Sequence, residues 1–168
     1  MKKLALFLCG LVLVSFALIQ TAEAADKFAY LDLSRAFGDY YKTKDYDKAL
    51  TAKEDNYIAE RDKKLADFNS LKDKFSLLSD KDREGKKGEL ETKAKVLKDF
   101  VTQKEDALRK EQEEKMKEIL KDIELAVKAY SEKEGYSMVF NERVLVYQNK
   151  GMDITDNIIA ILNKGKKV

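Results

Sequence analysis

The chain has 168 residues, with 33 Lys and Arg against 31 Asp and Glu, one Cys, and no His, Trp or Pro. The near-neutral balance argues against a general nucleic-acid binder, which would be strongly basic. With no His, and with the lone Cys9 inside an N-terminal segment expected to be removed, a conventional zinc site and His- or Cys-based nucleophiles and bases are excluded from the mature chain.

Residues 1–24 read as a signal peptide. Lys2 and Lys3 precede an apolar run from Leu4 to Ile19, and Ala22 and Ala24 supply the small residues of a cleavage site. Cleavage between Ala24 and Ala25 leaves 31 basic and 30 acidic residues and removes Cys9. No disulfide would then support the exported protein, so packing must hold it.

Residues 27–33, KFAYLDL, predict a strand, with Ser34 as the cap of a helix running from about Arg35 to Ser79. Gly38 is a weak point near its start. Phe68, Leu71, Phe75 and Leu78 step by three and four, as in a coiled-coil seam, but Tyr57, Arg61 and Lys64 continue that seam backwards and make it half polar. Ser79-Asp-Lys-Asp82 resembles a capping box, and Gly85 and Gly88 loosen the turns after it. The pattern fits a helical hairpin turning near Ser79, with a tip frayed to about Gly88; one bent continuous helix is the alternative. The return helix carries a seam of Leu90, Ala94, Leu97, Val101, Lys104 and Leu108, then Gln112, Met116, Ile119, Ile123, Ala126 and Tyr130. Consecutive steps of four after Leu108 make a stutter, and Gly135 ends the helix. Tyr136–Phe140 and Arg143–Tyr147 predict two strands joined at Asn141-Glu142. Asp153 and Thr155 can cap a last helix with Ile154, Ile158, Ile159 and Leu162 on its apolar face.

The expected fold is therefore α+β and mostly α. A long antiparallel helical hairpin (residues 42–134, turn near 79–88) is inserted into a small β head built from residues 25–41 and 135–168. A head of 51 residues is small for independent stability, and a three-stranded sheet has two open edges. Both shortcomings predict self-association through Phe28, Tyr30, Leu31, Leu33, Val139, Phe140, Val144, Val146 and Tyr147.

Taken together, the signal peptide, KFAYLDLSRAF at 27–37, the charged hairpin, and GYSMVFNERVLVYQNKGMDIT at 135–155 resemble the Skp/OmpH family of periplasmic chaperones over essentially the whole chain. The resemblance implies a homotrimer with a β body and three helical tentacles around a cavity. It implies a periplasmic, ATP-independent holdase for unfolded outer-membrane proteins, with no catalytic residues and no cofactor.

Within that expectation, Tyr57, Phe68, Phe75, Leu97, Phe100 and Val101 are candidate client contacts, diluted by charge so that each contact stays weak. Packing of one helix on the other is their competing role. Charge is also graded: residues 61–98 hold 12 basic and 8 acidic residues, whereas 42–60 and 99–134 together hold 12 and 16. Arg83, Lys86, Lys87, Lys93, Lys95 and Lys98 make a positive tip that attracts acidic clients or an anionic membrane surface, or is a solvated mixed-charge face. GKKG at 85–88 lacks the spacing of a phosphate loop, and no enzyme is expected. A secreted coiled-coil spacer or adaptor of the cell envelope is the alternative function; it would prefer a continuous apolar seam.

Overall fold

The computed structural model describes residues 26–165. The signal-peptide expectation and the last lysines, Lys166 and Lys167, lie outside these residues.

Strand β1 (Phe28–Leu31) is followed by helix α1 (Leu33–Asp39), α2 (Tyr41–Ser76) and α3 (Asp80–Glu134); then come β2 (Met138–Asn141) and α4 (Thr155–Asn163). Short 3-10 turns occupy Glu142–Val144 and Lys150–Met152. The chain is mostly helical, and its hairpin of α2 and α3 is inserted between the strands of a small sheet, as the apolar periodicity predicts.

The sheet differs from the expected one. β1 pairs with β2 in parallel, Phe28 opposite Met138 and Leu31 opposite Asn141. The other edge of β1 is met by a single parallel bridge from Tyr30 to Asp153, with the Ile154 N–H donating to the Tyr30 carbonyl at 3.0 Å. No strand forms at Arg143–Tyr147. The Asn141 side chain accepts from the Arg143 N–H at 3.2 Å and closes a local turn that competes with a ladder. Asn141 itself has φ −73°, not the left-handed conformation of a tight hairpin. Val144, Val146 and Tyr147 are consequently exposed in an unpaired segment.

The first helix begins two residues early and breaks early. Asp32, not Ser34, is its cap, accepting from the Arg35 N–H at 2.9 Å. At Tyr40 the backbone turns extended (ψ 129°) and separates α1 from α2. Asn163, at the end of α4, bridges the gap: its Oδ1 accepts from the Tyr41 N–H at 2.9 Å and its Nδ2 donates to the Asp39 carbonyl at 3.1 Å. One side chain thus satisfies groups at two helix ends that would otherwise be orphaned.

At the far end, Ser79 caps α3 as expected, accepting from the Asp82 N–H at 3.3 Å. The hairpin turn is confined to Leu77–Ser79, and residues 80–88, expected to fray, are helical. With 36 and 55 residues, α2 and α3 reach about 54 and 80 Å at about 1.5 Å per residue. Gly135 ends α3 at φ 75°, with the Tyr136 N–H returning to the Ser131 carbonyl at 3.0 Å.

The longer return arm has a structural purpose. Its base supplies Ile119, Ile123 and Ala126 to a core shared with Ala29 and Leu31 of β1, Ala36 and Tyr40, and Ile154, Ile158 and Leu162. The head core is thus built on the end of α3 and is not limited to the segments that flank the hairpin. Beneath it, the fully buried Thr155 hydroxyl accepts from the Asp32 N–H at 2.9 Å and donates to Asp153. The Thr155 N–H also donates to Asp153 Oδ1, at 2.9 Å.

Candidate binding surface of the helical hairpin

The seam between α2 and α3 is read well on its apolar positions. Phe68, Leu71, Phe75 and Leu78 on α2, and Leu90, Ala94, Leu97, Val101 and Leu108 on α3, are half-buried; Lys64 and Lys104 between them are exposed. Beyond Leu108 the seam moves by one residue. Glu111 and Lys115 are the half-buried positions, and Gln112 and Met116 face out. The long stems of Glu111 and Lys115 cover the contact while their heads reach solvent, and Lys53 holds Glu111 at 2.5 Å.

Tyr57 is the most buried side chain of the arm outside its base, 9% exposed. Its hydroxyl donates to Glu105 at 3.0 Å, and burial followed by that hydrogen bond pushes its pKa up. Phe100 packs on it, ring centroids 6.1 Å apart, and the ammonium groups of Lys64 and Lys104 stand 4.9 and 5.6 Å from the Phe100 centroid. Tyr57 and Phe100 therefore meet across the hairpin, Phe100 at the margin under two cations, while Phe68, Phe75, Leu97 and Val101 are half-buried along the seam.

At the foot of the arm, Asp122 receives the Tyr40 hydroxyl at 2.9 Å and Lys42 Nζ at 2.7 Å. Burial, then the hydrogen bond to Asp122, raises the Tyr40 pKa to about 12. Lys42 is raised chiefly by its hydrogen bond to Asp122. Burial works to raise the Asp122 carboxyl, but the hydrogen bonds from Lys42 and Tyr40 outweigh it and hold the group below its ordinary value.

The tip residues are spread over the helix. Arg83 donates to the Ser76 carbonyl at 2.6 Å and so braces the turn, and Lys86 pairs with Glu89 at 3.0 Å. Lys87, Lys93, Lys95 and Lys98 have no salt-bridge partner among the described residues. Their sequence positions do not put them on one face. Lys93 precedes the seam residue Ala94, while Lys95 and Lys98 follow Ala94 and Leu97, about 100° round the helix to the other side.

On the head, Tyr30 and Leu31 are buried, and Leu33 and Val139 are half-buried against the core. Phe28 and Phe140 are 39% and 38% exposed, with ring centroids 6.3 Å apart, and Met138 is exposed beside them. These three leave an apolar surface on the two-stranded sheet, and Val144, Val146 and Tyr147 are exposed in the unpaired segment beyond β2. Sequence reasoning missed Asn163 and Asp122 as the residues that fix the arm to the head, and the Thr155 hydroxyl as the tie between β1 and α4, because their partners lie 80 to 124 residues away. Among the described residues no helix is long and apolar enough to cross a membrane, and no group of three metal-ligating side chains comes together.

The class of protein is defined by these features: a mostly helical α+β chain whose long, charge-laced hairpin springs from a small sheet with an uncovered apolar face. The family profile described as outer membrane protein (OmpH-like) matches residues 27–162. The chain belongs to this OmpH-like family. It is 31% identical over 162 residues to the chaperone protein Skp of Pectobacterium atrosepticum, a match covering 89% of this chain and 92% of that protein. A crystal structure of an OmpH-like protein from Caulobacter crescentus CB15 shares the fold, with a TM-score of 0.74 at 16% identity over 88% of this chain and 89% of that one.

Proposed function

We propose that this protein is a periplasmic holdase chaperone that binds unfolded outer-membrane proteins between helical arms and prevents their aggregation without ATP. The observation that carries the proposal is the interrupted seam. Apolar side chains along the arm stay half-exposed between lysines and glutamates, so the arm offers many weak apolar contacts and no single strong one. Kinship with a protein named as a chaperone supports the same reading. A rigid spacer would close its seam and keep such residues out of solvent.

The protein acts as a homotrimer, in keeping with the family resemblance. Phe28, Phe140, Val144, Val146 and Tyr147 form the contact between heads, where unpaired backbone beyond β2 and the exposed apolar face find partners in another copy. Light scattering at micromolar concentration tests this: the mass of a single chain would refute it. The chaperone reading is tested by diluting a denatured outer-membrane β-barrel protein into buffer with and without the exported chain. Turbidity should be suppressed with no nucleotide present; unchanged aggregation would overturn the proposal.

A further inference from the structure

The two helices of the hairpin enter the head differently. α3 runs without a break from the arm into the core, where Ile119, Ile123 and Ala126 are buried. α2 starts at Tyr41, one extended residue after α1 ends at Asp39. The Tyr40 side chain makes no capping bond to α2. A single residue with two soft dihedrals sets the angle between α1 and α2 only as firmly as its surroundings hold it.

Two brackets hold this joint. In the first, the Tyr40 hydroxyl and Lys42 Nζ both reach Asp122 on α3, through side chains that can turn while the main chain moves. The second acts on the main chain itself. Asn163 Oδ1 accepts from the Tyr41 N–H at 2.9 Å, and its Nδ2 donates to the Asp39 carbonyl at 3.1 Å. The carboxamide is planar and rigid, and it grips the backbone on both sides of the break. A turn of φ or ψ at Tyr40 therefore breaks at least one of these bonds. Asn163 is itself held, because Ile158 and Leu162 seat α4 in the head core. Rigidity thus passes from the core through α4 and one amide to the root of α2.

We infer that Asn163 is a positioning residue of the arm: its carboxamide locks the Tyr40 joint and sets the pitch at which the hairpin leaves the head, so that the arms stand ready for a client. The consequence for holding rests on the chaperone reading; the locked joint does not.

The exported chain, without Cys9, has no thiol, so Ser70→Cys on α2 and Asn157→Cys on α4 give two spin-label sites at exposed positions. Ser70 stands about 44 Å above the joint at about 1.5 Å per residue. Labelled chains are mixed with excess unlabelled full chain, and double electron–electron resonance reads the distance within one chain. The parent should give one narrow peak. Asn163→Ala should give a distribution at least about twofold wider, since opening a joint held by few contacts is a low-energy local event. Asn163→Asp keeps an acceptor for the Tyr41 N–H and puts negative charge at the start of α2, but loses the donor to Asp39, so it should widen the peak less. Ile158→Val thins the buried face of the same helix and should leave the width unchanged. In the turbidity assay, Asn163→Ala should need at least about threefold more protein for half-suppression, because unset arms must be ordered on binding. Circular dichroism checks that each variant folds. An Asn163→Ala width equal to the parent's, equal widening in Ile158→Val, or an Asp variant wider than the Ala variant would overturn the locked joint. Widening with unchanged suppression would overturn its role in holding. Failure of the unaltered chain to suppress turbidity sinks the chaperone reading, whereas the distance widths decide the joint on their own.

Discussion

Replacing Thr155 by Val keeps the size and shape of the side chain and adds apolar surface at a fully buried position. On burial alone the change should stabilise the head. The structure predicts the opposite. The Thr155 hydroxyl accepts the Asp32 N–H at 2.9 Å and donates to Asp153. Leaving a buried donor without its acceptor costs about 1–3 kcal/mol, and losing the second hydrogen bond costs a further ~0.5–1.5 kcal/mol. Thr155→Val should therefore destabilise by about 2–4 kcal/mol, whereas Thr155→Ser, which keeps the hydroxyl and gives up one methyl, should cost about 1 kcal/mol. Urea unfolding followed by the near-ultraviolet dichroism of the head tyrosines measures both. If the Val variant is as stable as the parent, or more stable than the Ser variant, the hydroxyl is not what ties β1 to α4.

Alkaline pH should loosen the foot of the arm. An unfolded tyrosine loses its proton near pH 10, whereas Tyr40 in the fold holds it to about 12. The stabilisation from this group is thus complete below about pH 10 and is lost as pH rises toward 12; the urea midpoint should fall more steeply there in the parent than in Tyr40→Phe. The depressed Asp122 carboxyl works in the other direction: its contribution is present above about pH 4 and is lost on acidification, so Asp122→Asn should flatten the acid limb. Gly135→Ala meets no atom within 4 Å but must hold φ 75°, so it should cost about 1–2 kcal/mol in urea unfolding. Ser79→Ala removes an exposed cap; it should cost about 1 kcal/mol, read as faster amide exchange at Asp82 and its neighbours with the head unchanged.

What the sequence revealed, and what it hid, divides by the range of the interaction. The hairpin, its seam up to Leu108, the Ser79 cap and the Gly135 stop rest on neighbours within a few turns, and periodicity reports those directly. The break at Tyr40 has no Gly or Pro at the break itself, and the side chain that caps both ends comes from Asn163, 122 residues from Tyr41. The seam near Glu111 was misplaced because apolarity was counted by residue type, whereas the stems of Glu111 and Lys115 do the covering. Arg143–Tyr147 has the composition of a strand, yet the Asn141 side chain folds the backbone onto itself first. Of the arm residues singled out, periodicity found those at the contact but could not rank them: Tyr57, which falls where the seam turns polar, is the most buried of the six.

The parallel pairing of β1 with β2 sets an order of assembly. Lys27 Nζ reaches the Glu134 carbonyl across a sequence separation of 107 residues, and bringing the ends of a flexible loop of that length together costs about 4 kcal/mol in chain entropy. A preformed pair of arms removes most of that cost, since their roots are already neighbours. Synthesis delivers β1 first and α4 last, so the head stays open until the final stretch arrives. A chain that stopped before Asp153 would keep its arms but leave Ile119 and Ile123 bare where α4 should lie. In such a fragment the molecule would itself need the kind of protection it is proposed to give.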